Sequence, residues 1–134
     1  MNINSLLNKT IDFTTKRVAE LIGLLLIFLS ILLLISLLSY SPEDPNFIFP
    51  ENTEIKNILG FRGSFISDIF LQSVGLISIL ISITIFFTGV NLFRKKKFLI
   101  ILENLFYTVI YSLFGSLFFA TYHSNSYWLE QHYY

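Results

Sequence analysis

Long apolar runs alternate with short polar ones along this chain. From Leu21 to Tyr40 there are 20 residues without a charge, and from Ile69 to Phe93 there are 25. Each reaches the roughly 20 residues that a helix needs to cross a hydrocarbon core about 30 Å thick. A third run, Asn104 to Tyr122, has 19 uncharged residues and is entered through KKKFLIILE, which places Glu103 near the membrane surface. A bilayer forces the backbone to satisfy its own hydrogen bonds, and no run alternates with the two-residue period of a strand. The expected fold is therefore all-α: an integral membrane helical bundle with spans over about 21–40, 66–93 and 98–122. The first apolar run is longer than the about 7 to 15 residues of a signal-peptide core, so it is expected to stay as an anchor.

The polar punctuation predicts what joins the spans. Pro42 and Pro45 push Ser41 and Asp44 out of the α region, so the first helix should end at Ser39 to Ser41, leaving Glu43 and Asp44 in water. In NTEIKNILG, Asn52 or Thr53 suits a cap, Ile55, Ile58 and Leu59 share a face, and Gly60 suits a left-handed end. This predicts a short amphipathic helix within an outer loop, 41–65, after which Gly63 or Ser64 caps the helix that becomes span two. In residues 1–20, Leu6, Leu7, Ile11 and Val18 recur at helical spacing, which predicts a short interfacial helix leading into span one.

Small and polar residues inside the spans fall into stripes. Asp68, Gly75, Ser78, Ser82 and Gly89 project within about an 80° sector. Thr108, Ser112, Ser116 and Ala120 follow one another at i, i+4, with Gly115 beside them. Such residues let backbones approach and hydrogen-bond across helices, so both stripes read as packing faces. A polar conduction path is the sharper alternative, but these spans place no ionisable group at depth. Asp68 near the end of span two suits a cap, a salt bridge with Arg62 or a contact to a partner protein.

Composition agrees with the pattern: 54% of residues are hydrophobic and only 13% charged. Nine basic side chains balance nine acidic ones, which argues against a polyanion-binding surface, and the absence of cysteine excludes disulfides, thiolate catalysis and thiolate metal sites. The cations are unevenly placed. Lys9, Lys16, Arg17, Arg94, Lys95, Lys96 and Lys97 make seven on one side of the spans, against Lys56 and Arg62 on the other. The positive-inside rule then puts residues 1–20 and the turn 94–97 in the cytoplasm, and the tail 123–134 outside. The cluster Arg94 to Lys97 is thus read as a topology determinant rather than a contact for DNA or anionic lipid. The aromatic tail HSNSYWLEQHYY reads as a loop cut short before a fourth span.

Little in the chain suggests chemistry. His123, His132 and Glu130 lack the further ligands of a closed metal site. Glu43 and Asp44 are adjacent and do not converge as an acid/base pair, and no GxxxxGK[ST] or GxGxxG loop is present to cradle a nucleotide. No catalytic, cofactor or metal site is expected, and no small-molecule substrate.

Three stretches carry a resemblance. Glu20 and Gly23 form an E-x-x-G before the first Leu-rich span. Ser39, Tyr40, Pro42, Asp44 and Pro45 form S-Y-x-P-x-D-P at its end. Asn57, Gly60, Gly63 and Asp68 form N-x-x-G-x-x-G-x-x-x-x-D before the second span. Over residues 17 to about 122 the chain resembles the N-terminal four-helix membrane domain of the FtsK/SpoIIIE-type DNA translocases. The resemblance implies a bacterial inner-membrane anchor at the division septum, serving cell division and chromosome segregation and touching other septal membrane proteins and lipid. It implies a fourth span after Tyr134, then a linker and an ATP-driven motor through which the protein forms a hexamer. Neither ATP hydrolysis nor nucleic-acid binding would reside in these residues. A standalone small subunit of a transporter or respiratory complex, or a membrane enzyme acting on lipid, are the competing expectations.

Overall fold

A computed structural model describes residues 3–45 and 54–122. It consists of α1 (Ile3–Leu38), α2 (Gly60–Val74), α3 (Ile77–Lys95) and α4 (Leu99–Tyr122). The expected all-α membrane fold is what forms: α1, α3 and α4 are each long and apolar enough to cross a bilayer. α2, with 15 residues, falls short of that length.

α1 and α3 make the principal contact, and they run antiparallel. Glycine sets the distance between them. A Cβ on Gly23 would lie 2.8 Å from the Gly89 carbonyl oxygen and from the Phe93 nitrogen, and one on Gly89 would lie 2.7 Å from the Gly23 carbonyl oxygen. Both obstacles are backbone, which cannot swing aside, so the close approach requires glycine on each helix. Ala19 and Ser30 are buried on the same side of α1, and Ser78, Ser82 and Leu92 on the facing side of α3. At the end of this seam Lys96, whose left-handed φ of 56° closes α3, forms an ion pair with Glu20. Arg94 and Lys95 occupy the last turn of α3, where cations complement the helix dipole; Lys97 is exposed in the turn to α4.

α4 lies lightly on α3. Asn104 Nδ2 donates to Thr88 Oγ1 at 2.8 Å, and the Thr84 and Tyr111 hydroxyls meet at 2.8 Å. Gly115 faces Ile77, whose Cδ1 would be 2.5 Å from an added Cβ. No α4 residue is buried.

Four expectations are corrected. Span two is two helices, not one, because Gly75 adopts φ 65° and ψ −145° and ends α2. Gly75 is therefore a break rather than a packing residue, and a Cβ there would meet nothing within 4 Å. The amphipathic helix does not form in its described part, 54–59; Gly60 is left-handed as expected, at φ 67°, but it opens α2 instead of ending an earlier helix. The interfacial helix and span one are a single 36-residue helix, about 54 Å long at 1.5 Å per residue. Asn52, Thr53 and the tail residues His123, Glu130 and His132 lie outside the described residues.

Candidate functional site: a polar clasp between α1 and α2

The fourth correction concerns Asp44, which is buried rather than solvated. After Pro42 the chain turns back, with the Asp44 amide donating to the Ser41 carbonyl at 3.2 Å. That turn aims the carboxylate at the non-helical segment before α2. Oδ1 accepts from the Lys56 amide at 2.7 Å and Oδ2 from the Asn57 amide at 2.8 Å. These bonds tie the Lys56 and Asn57 amides to one carboxylate, in the stretch where the expected helix does not form. Asn57 continues the network: Nδ2 donates to the Ser36 carbonyl at 2.9 Å, while Oδ1 accepts from the Leu59 amide at 3.0 Å.

The Ser36 hydroxyl donates to the Gly63 carbonyl at 2.5 Å, joining α1 directly to α2. Gly63 has no room for a side chain, because an added Cβ would strike the Asn57 amide oxygen and lie 2.5 Å from Leu59 Cβ. Ser39 Oγ donates to the Ile35 carbonyl at 2.7 Å and accepts from the Ile58 amide at 3.3 Å. Tyr40 donates to Asp68 Oδ1 at 3.0 Å, and Gln72 donates to Asp68 Oδ2 at 2.9 Å. The salt bridge considered between Asp68 and Arg62 does not form. Pro45 is buried beside Asp44, and Pro42 is exposed at the turn.

The residues of the second and third sequence motifs thus converge, although 28 positions separate Tyr40 from Asp68. Ser36 belongs to the same network and was not singled out by sequence, since a lone serine in a Leu/Ile run carries no spacing signal. The hydrogen-bonding groups of the clasp are directed at one another and at backbone, an arrangement suited to holding shape. Among the described residues no group of three His, Asp or Glu is placed to hold a metal ion.

Of the packing stripes, Ser78, Ser82 and Gly89 lie buried on α3. Ser116 reaches across to the Val74 carbonyl at 3.2 Å. Thr108 and Ser112 bond to carbonyls of their own helix, and Ala120 is exposed. Ser78 Oγ is buried without a hydrogen-bond partner among the described residues. Helical serines ordinarily bond back to the i−4 carbonyl; for Ser78 that carbonyl is Val74, beyond the break and occupied by Ser116.

Glu43, next to Asp44, behaves oppositely. It is exposed and paired with Lys56, which holds its carboxyl below the usual carboxylate range and raises the Lys56 ammonium in turn. A carboxyl lowered in the folded state contributes at neutral pH and loses that contribution as pH falls through its folded value. Such exposed pairs contribute little and are screened by salt. Glu43→Gln is expected to leave the thermal midpoint at pH 7 and moderate salt unchanged within error, and a marked drop would show that the pair holds the loop.

A sequence profile described as the 4TM region of DNA translocase FtsK/SpoIIIE matches residues 15–133. The chain belongs to this family. It is 33% identical over 67 residues to a DNA translocase FtsK of Rhizobium meliloti (strain 1021), covering 50% of this chain and 8% of that protein. It is 32% identical over 83 residues to a DNA translocase FtsK of Bradyrhizobium diazoefficiens, covering 62% of this chain and 10% of that protein. The chain therefore corresponds to the membrane region of FtsK-type translocases and spans about a tenth of these relatives or less. No solved structure matches it. Within the FtsK/SpoIIIE membrane region described here, Glu20 and Gly23 tie α1 to α3, while Ser36 with Gly63 and Tyr40 with Asp68 tie α1 to α2.

Proposed function

We propose that this chain is the membrane anchor and septal-targeting module of a bacterial DNA translocase that serves chromosome segregation. It sits in the inner membrane with residues 1–20 and the turn 94–97 in the cytoplasm, and residues 123–134 on the outer side. Seven cations against two support that orientation. The motor, the DNA contact and the hexamer formed through the motor belong to other parts of such a protein. The observation that carries the reading is the clasp. Family-motif residues are used to fix an outer platform rather than to assemble reacting groups, which leaves Ile58, Phe61 and Arg62 exposed on it for septal membrane proteins.

A fluorescent fusion at the N-terminus is expected to gather at midcell in dividing cells, and Ile58→Asp with Arg62→Glu is expected to spread it evenly while membrane insertion persists. Even distribution of the parent fusion would sink septal targeting. Reporter fusions after Lys96 and after Tyr134 are expected to report cytoplasm and exterior, respectively; the reverse would overturn the orientation.

A further inference from the structure

No residue of α4 is buried, yet its exposed surface is of two kinds. Projected at 100° per residue, Asn104, Tyr111 and Gly115 fall on the side that meets α3. Leu102, Phe106, Val109, Leu113 and Leu117 form an exposed back within about an 80° sector, wholly apolar, as acyl chains require. Between the back and the α3 contact runs a flank of Glu103, Tyr107, Phe114 and Phe118, within about a 60° sector. All four are exposed, Tyr107 at 63% and Phe114 at 71%.

The polar groups of the flank lie inside the membrane. Asn104 donates to Thr88, which is six residues inside Arg94 on α3. That register sets the neighbouring Glu103 deeper than the surface position its sequence context predicts. Counted from Lys97, Glu103 lies six residues in and Tyr107 ten, about 9 and 15 Å along the helix, the second being half of a core about 30 Å thick. Arg94, Lys95 and Lys97 form no ion pair with Glu103. Among the described residues, neither its carboxyl nor the Tyr107 hydroxyl has a hydrogen-bond partner.

Acyl chains offer such groups nothing to bond. A lipid headgroup meets only a side chain that reaches the surface, and Tyr107 lies a further turn in. A second copy inserted in the same direction sets identical positions at one depth, so a symmetric contact through this flank would oppose Glu103 to Glu103. We infer that the flank is a docking surface for a transmembrane helix of another protein, with a Lys or Arg at the depth of Glu103 and an apolar side against Phe114 and Phe118. Polar bonds between helices hold such contacts in lipid, where an ionisable group is costly until it is paired. This contact lies in the half of the bilayer bordered by the turn 94–97, and it stands whether or not the outer platform meets a partner.

Because the chain has no cysteine, single spin labels at Phe114→Cys and Leu113→Cys report on the flank and the back separately. The probe is a spin-labelled Leu/Ala transmembrane peptide with a Lys at the depth of Glu103 from either end, so that both directions of insertion present one; a control peptide has Leu at these places. With the full chain in phosphatidylcholine vesicles, the Lys peptide is expected to broaden the spectrum of Phe114→Cys and not that of Leu113→Cys, and the Leu peptide to broaden neither. Adding Glu103→Gln is expected to weaken the peptide's binding about tenfold or more, Tyr107→Phe to weaken it less, and Glu103→Asp to retain it, with helical content kept in each. No broadening by the Lys peptide, equal effects of the two peptides or on the two faces, or unaltered binding in Glu103→Gln would overturn the inference. So would broadening at Phe114→Cys without peptide, which would make the cover a second copy.

Discussion

Asp44→Ala is expected to lower the stability of the folded domain by about 3 kcal/mol, because two backbone donors lose their acceptor at about 1–3 kcal/mol each. The carboxylate is buried, and the Lys56 and Asn57 amides approach it at 2.7 and 2.8 Å. The loss should be local before it is global. Hydrogen exchange at the two amides is expected to rise to the rate of unprotected backbone, and Asp44→Asn, which keeps one acceptor oxygen, is expected to fall between the variant and the parent. Unfolding in a detergent titration measures the global term. Unchanged exchange in Asp44→Ala would mean that the segment is held by something other than the carboxylate. The contrast with Glu43→Gln makes the test sharp, since the adjacent carboxylate is exposed and its removal should change little.

Gly89→Ala is expected to cost about 2–3 kcal/mol, the range in which an extra methyl forces apart a packed contact. The added carbon would sit 2.7 Å from the Gly23 carbonyl oxygen and 2.9 Å from Ile27 Cγ1 and the Ile27 nitrogen. Gly23→Ala should cost as much, since it meets the Gly89 carbonyl oxygen and the Phe93 nitrogen. The two changes act on one gap. Once the helices have separated to admit the first methyl, the second meets less resistance, so the double variant should cost less than the sum. Additive costs, or a tolerated Gly89→Ala, would show that the backbones are not in contact at this crossing.

Local chemistry was readable where one residue decides the outcome by itself. Pro42 and Pro45 do close the first helix: α1 ends at Leu38, within a residue of the expected Ser39 to Ser41. Gly60 does take a left-handed φ. What the sequence could not reveal is which side of such a residue the helix lies on, because that depends on Asp44 reaching 12 and 13 positions along the chain to bind the Lys56 and Asn57 amides. Gly75 shows the same limit. In a helical projection it is a small residue on the stripe of Ser78, Ser82 and Gly89; only its backbone angles reveal it as the place where the helix stops. The stripe itself survives in α3, since those three positions project within about a 40° sector and are buried. The clasp was visible only as motif spacing, and Ser36 not at all, because its partner Gly63 is 27 positions away.

The crossing of Gly23 with Gly89 also bears on how the domain is made. These residues are 66 positions apart, which at 5–20 residues per second is roughly 3–13 s of synthesis. During that interval α1 waits in the bilayer with its small-residue face bare, available to any other helix nearby. The seam with α3 can close only after the ribosome has passed Gly89, and the Lys96 bond to Glu20 is among the last of its contacts to form. The order of insertion thus makes the first helix a temporary guest of the membrane, and its proper partner the one that arrives late.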